Sequence, residues 1–169
     1  VECMLKEKEK KKINIVAGGS GISFALPILK SLLTISNNKE GEKDVISLNW
    51  SVRKIEDAFI LSDFLQALLN GGVVGKSEFS LKLNITGTEN SIDEEKKQNL
   101  TAQLNQYKEF LDFDIEYSVR FAVATLAPEE ESLYLTNFKQ WIVCCGPSTM
   151  IDECKQYIDA TNLKIADVS

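Results

Sequence analysis

"INIVAGGSGISFALPILKSLLTI", Ile13 to Ile35, decides the fold class. Ile13–Ala17 is a short apolar run of the length and composition of a buried strand. Gly18-Gly19-Ser20-Gly21 interrupts it, and from Ile22 to Ile35 apolar residues recur at helical spacing. A strand, a glycine turn and a helix in direct succession open a β-α-β unit. Pro27 belongs near the first turns of that helix, where a missing N–H is tolerated best.

The alternation continues along the chain. "VISLNWSV" (Val45–Val52) reads as a second strand, and "KIEDAFILSDFLQALL" (Lys54–Leu69) as one amphipathic helix stopped by "NGG". "EFSLKLNIT" (Glu78–Thr86) alternates as a strand does. Ser91–Leu111 is a polar, helix-favouring or loop-like insert, and Phe113–Phe121 another strand. Pro128–Phe138 opens with proline and acids, as a helix N-terminus should. "WIVCC" (Trp141–Cys145) is the next strand, "PSTMIDECKQYI" the last helix, and "LKIADV" a closing strand. Strands alternating with helices predict an α/β fold: a doubly wound, mostly parallel sheet flanked by helices. Residues 1–12, with the charge run "LKEKEKKK", read as a linker or strand lead-in, and 13–169 as one domain.

Composition narrows the chemistry. The 169 residues carry a formal charge of −6, which argues against a general nucleic-acid binder. A small anion held by a few local donors stays open. No histidine is present, which removes any Ser-His or Cys-His nucleophile and the commonest metal ligand. Cys3, Cys144, Cys145 and Cys154 lack zinc spacing, so no metal site is expected and the thiols read as reduced. Asn49, Asn84 and Asn99 head N-x-[ST] triplets; the first two fall in predicted strands and read as chance matches. No run reaches the roughly 18 apolar residues of a membrane span.

Parallel sheets bind ligands at the carboxyl ends of their strands, so the residues just after each strand carry the functional signal. After the first strand, Gly18-Gly19-Ser20-Gly21 offers close backbone approach and a helix N-terminus for phosphate, although a purely structural turn has the same composition. "NGGVVGKS" (Asn70–Ser77) imitates a phosphate-binding loop. It has Asn where the first Gly is needed, and it runs from helix to strand rather than strand to helix. The second strand ends Ser51-Val52-Arg53, where an Arg suits a 2′-phosphate and an acid would suit a ribose hydroxyl. Arg120, late in a later strand, is another candidate anion ligand. In Cys144-Cys145-Gly146-Pro147 the two thiols must point to opposite faces. Cys144 is expected in the core, and Cys145, last before the turn, in the crevice.

Three motifs together, "VAGGSGI", "WSVR" and "CCGPSTM", resemble the NAD(P)H-binding domain of the ferredoxin–NADP reductase superfamily, in its branch of ferric reductases and NADPH oxidases. The resemblance spans residues 13 to 169. It implies that Gly18, Gly19, Ser20, Gly21 and Ile22 pack against the pyrophosphate and adjoining ribose of NADPH, and that Ser51 and Arg53 hold its 2′-phosphate. Arg120 would approach the nucleotide, with Val119 and Phe121 in place of the family's flanking Gly and Pro. Cys145 would lie beside the nicotinamide as the catalytic residue, framed by Gly146, Pro147 and Ser148. The resemblance further implies a parent membrane protein whose FAD-binding and haem domains lie outside this chain. The module would then sit on the cytosolic face of a plasma or endoplasmic reticulum membrane, passing electrons to oxygen or ferric iron. A soluble flavin reductase module and a non-catalytic nucleotide-binding or interaction domain are the other readings of the same fold.

Overall fold

The computed structural model describes residues 10–38, 43–73, 78–87, 93–117, 139–161 and 164–166. In chain order the elements are β1 (Lys11–Gly18), a 3-10 turn (Gly19–Gly21), α1 (Ile22–Asn38), β2 (Val45–Val52), α2 (Ile55–Ala58) and α3 (Ile60–Asn70). They continue with β3 (Glu78–Ile85), α4 (Glu94–Asn105), β4 (Asp112–Tyr117), β5 (Lys139–Cys145), α5 (Ser148–Thr161) and β6 (Lys164–Ala166). Arg120 and the helix expected over Pro128–Phe138 lie outside the described residues.

Six strands pair in the order β4-β3-β2-β1-β5-β6, and every pairing is parallel. Successive strands step outward from β1 to β4; the chain then returns to the other side of β1 for β5. The crossover leaves a switch point between β1 and β5, where ligands of open α/β sheets bind.

Helices cover both faces, as the alternation predicts. Odd positions of β1, even positions of β2 and odd positions of β3 and β5 build the larger core. Ile13, Ile15, Leu48, Trp50, Leu81, Leu83 and Val143 pack there with Leu29 and Leu33 of α1, Leu61 and Leu65 of α3 and Leu100 of α4. The opposite face carries a smaller cluster of Val16, Ile142 and Cys144 under Met150 and Cys154 of α5. At Gly19–Asn38 the chain is long and apolar enough to cross a membrane, but Ala25, Leu29, Leu32 and Leu33 of that stretch are buried against the sheet. Pro27 sits in the second turn of α1 with its ring exposed.

Two boundaries differ from the sequence expectation. The helix expected over Lys54–Leu69 is broken at Phe59, where tightened bonds of the Phe59 and Ser62 N–H groups to residues three back separate α2 from α3. At the far end, Gly72 takes φ +65° while Val73 and Gly72 donate to Leu68 and Leu69 carbonyls, a glycine-dependent C-terminal cap. β1 begins at Lys11 rather than Ile13. The ammonium of Lys11 is buried 3.6 Å from Asp44, whose carboxylate also accepts the Lys11 N–H at 2.8 Å. A charge run predicts exposure; a partner carboxylate across the strands lets this lysine be buried.

Candidate functional site

The three sequence motifs meet at the carboxyl edge of the sheet. In register, Ala17 lies beside Cys145 and Gly18 beside Ser51, so the glycine turn stands between the other two strand ends. α1 and α5 both begin at this edge, and neither has an acidic residue in its first turn. By contrast α2, α3 and α4 open with Glu56 and Asp57, with Asp63, and with Glu94 and Glu95. Free N–H groups and the positive dipole end therefore stay uncompensated at the switch point, which favours an anion there despite the acidic chain.

The glycines divide by role. A Cβ on Gly21 would lie 2.0 Å from the Cys145 carbonyl oxygen, and one on Gly18 would lie 2.9 Å from Met150 Cε and 3.0 Å from Pro147 Cδ. One on Gly146 would lie 2.9 Å from Met150 Sδ and 3.2 Å from the Gly18 nitrogen. These three let the glycine turn dock onto the Cys-Gly-Pro turn. Only Gly19 of this set, at φ +53°, has nothing within 4 Å of its Cβ position, so it is the glycine whose open side faces solvent. Its carbonyl accepts the indole N–H of buried Trp50 at 3.0 Å, which ties the turn to β2. Ser20, Pro147 and Ser148 are exposed along the same rim, while Ile22 is buried beneath it.

At the end of β2, Arg53 is exposed and Ser51 is 8% exposed, and the Ser51 hydroxyl has no protein partner. A buried hydroxyl without a partner beside Gly18 fits a ligand oxygen, and the open side of Gly19 fits a close-lying phosphate. The Arg53 loop is held from β3: Thr86 and Gly87 donate backbone N–H bonds to the Val52 and Arg53 carbonyls at 2.8 and 3.0 Å. A Cβ on Gly87 would meet the Arg53 carbonyl at 2.4 Å. Sequence reading passed over Gly87, although a Gly directly after a strand was the available signal.

The thiols do fall on opposite faces, Cys145 in the larger core and Cys144 in the smaller. Both are buried, at 6% and 8% exposure, so the crevice side of Cys145 is only a narrow edge. Burial raises the Cys145 thiol above its ordinary range. A hydrogen bond with Cys154 and then burial raise Cys144 likewise. Neither is a ready thiolate nucleophile.

A cavity of about 420 Å³ lies at the opposite edge, among Val45, Glu78, Phe79, Lys108, Glu109 and Asp112. Three carboxylates against one lysine give it the wrong sign for a phosphate ligand.

Comparison with known proteins agrees with this geometry. Residues 10–159 match the family described as the ferric reductase NAD binding domain. Curated relatives include a "Probable metalloreductase AIM14" of Scheffersomyces stipitis, 24% identical over 91% of this chain and 31% of that protein. The protein of the same name from Kluyveromyces lactis is 25% identical over 88% of this chain and 30% of its own length. The Candida tropicalis protein is 46% identical over a shorter stretch, 30% of this chain and 8% of its own. The chain thus spans about a third of the length of the relatives it matches most fully. No solved structure matches it. With a match over nearly the whole chain and the strand-end motifs converged at the switch point, the chain belongs to the ferric reductase NAD-binding domain family.

Proposed function

We propose that this chain is the NADPH-binding module of a flavin- and haem-dependent membrane reductase, working at the cytosolic face of its membrane. One arrangement carries the reading: two helix N-termini free of acids converge on a switch point beside the unpartnered Ser51 hydroxyl and exposed Arg53. When bound, NADPH supplies hydride to FAD held by another part of the parent protein, from which electrons reach ferric iron or oxygen. The name of the relatives, metalloreductase, supports a metal ion as terminal acceptor.

The residues of the chain bind and orient. Gly19, Ser20 and the first turn of α1 would hold the pyrophosphate, with Ile22 packing below. Ser51 and Arg53 would hold the 2′-phosphate, and Arg120 would add a further cation. Gly18, Gly21 and Gly146 keep the two turns in contact, so that Cys145, Pro147 and Ser148 would border the nicotinamide. Cys145, protonated and largely buried, would act by shaping the position of that ring and excluding water, not as a nucleophile.

In the parent enzyme, anaerobic NADPH is expected to bleach the flavin absorbance. An enzyme with full flavin content that NADPH leaves oxidised would overturn the reading. Cys145→Ala is expected to slow that bleaching by about tenfold to a hundredfold, because small displacements of a reacting ring are expensive. Cys144→Ala, in the smaller cluster beneath Met150 and Cys154, should leave the rate near wild type. Equal rates for Cys145→Ala and wild type would remove Cys145 from the nicotinamide side.

A further inference from the structure

The row of residues that begins at Gly18 and Ser51 continues. Ser51 is the register partner of Asn84 on β3, and Asn84 that of Glu116 on β4. Val52, Trp50, Leu83 and Ile85 point into the larger core, so Ser51 and Asn84, between them, point to the other face. Asn84 is 1% exposed. Its Nδ2 donates to Glu116 Oε2 at 3.3 Å, and Glu116 Oε1 lies 3.4 Å from Lys82 Nζ. Since only the amide nitrogen can donate to a carboxylate, Glu116 fixes which way the carboxamide lies. The oxygen, Oδ1, is then the atom left over, and it is buried with no partner.

Two neighbouring buried polar atoms thus lack partners at one strand edge, one a hydroxyl and the other an acceptor. Buried acceptors are nearly always satisfied in folded proteins, so Oδ1 suits a donor from a ligand at this edge. The row lies on the β2 and β3 side of Gly18, away from β5 and Cys145. A dinucleotide laid across the switch point with its nicotinamide toward Cys145 places its adenosine end on this side. That orientation rests on the nucleotide reading above.

We propose that Asn84 is a specificity residue of the nucleotide site, its Oδ1 accepting a hydrogen bond from a donor on the adenosine end. NADPH offers two such donors, the ribose 3′-hydroxyl and the adenine 6-amine. Glu116, through Asn84 Nδ2, is the positioning residue that keeps the acceptor facing the ligand. This role complements Arg53: the cation would read the 2′-phosphate and the carboxamide the neutral remainder.

Calorimetric titration of the full chain with adenosine 2′,5′-bisphosphate, its inosine counterpart and its 3′-deoxy counterpart tests the assignment without any turnover. The wild type is expected to bind one of the two analogues about tenfold more weakly than the adenosine compound, and that analogue names the donor. Asn84→Leu should bind the adenosine compound about tenfold more weakly and cease to distinguish the three. Wild-type affinity equal for all three would overturn the proposal and leave the nucleotide reading standing; this arm does not depend on how the variant folds. Failure of both NADPH and the bisphosphate to bind at millimolar concentration would overturn both.

Discussion

Gly21→Ala is expected to destabilise the fold by about 3 kcal/mol or more and to abolish nucleotide binding in whatever folded protein remains. The added methyl group would meet the Cys145 carbonyl oxygen at 2.0 Å and its carbon at 2.6 Å, both backbone atoms of a central strand. Overpacking usually costs about 1–3 kcal/mol because side chains can turn aside. Here β5, hydrogen-bonded to strands on both sides, cannot turn aside without breaking sheet bonds. A loss of that size lowers the melting temperature of a domain this long by about 10 °C. Gly19→Ala is the control two residues away. It has space on every side but a left-handed φ of +53°, so about 1 kcal/mol of backbone strain is expected and a smaller drop in melting temperature. Thermal unfolding of the two variants followed by circular dichroism separates the cases. A Gly21→Ala protein as stable as Gly19→Ala would mean that the two turns are not in the contact described.

That contrast also shows what could be read from residues and what could not. Short apolar runs located β1, β2 and β5, and alternation located β3, because strands packed in a sheet leave a strong local pattern. The three motifs were visible for the same reason: each directly follows a strand. Their division of labour was not, since a glycine that admits a ligand and one that admits another loop look identical in sequence. Gly21 and Gly18 needed the Cys145–Met150 segment, more than a hundred positions away, before their purpose showed. The burial of Lys11, read only as part of a linker or strand lead-in, was hidden because its partner, Asp44, stands on the far side of α1 in the chain. The break at Phe59 was hidden because Ile55, Ala58, Leu61 and Leu65 keep an apolar stripe across it. Cys145 was rightly set on the face opposite Cys144, yet strand alternation says nothing of depth, and the core on its side buries it slightly more fully than its neighbour. The Asn84 acceptor left no trace at all, since an Asn in a strand suggests only a weak β-former.

Arg53→Ala is expected to weaken NADPH binding by about tenfold to a hundredfold while leaving NADH nearly unchanged. A charge-assisted hydrogen bond to a phosphate is worth roughly 1.5–3 kcal/mol, and NADH has no 2′-phosphate to lose. The lower end of the range is the better expectation at moderate salt, because Arg53 is exposed and solvent screens its charge. The fold should survive the change. What secures this loop is the Arg53 carbonyl, held by the Gly87 N–H, together with Val52, held by Thr86, and truncating the side chain touches neither. Raising the salt from about 0.1 to 1 M shortens the screening length from about 10 to 3 Å, so it should erode the wild-type preference for NADPH and leave the variant's ratio flat. Arg53→Lys should recover part of the preference, since the charge remains but the two-pronged geometry is lost. Ser51→Ala should cost less than Arg53→Ala, because it removes a neutral donor and also removes the buried hydroxyl that has no partner. The ratio of NADPH to NADH dissociation constants, measured for the four proteins at both salt concentrations, decides the matter. Losses of equal size for the two nucleotides would take Arg53 out of 2′-phosphate recognition and make it a general contributor to the positive edge formed by α1 and α5.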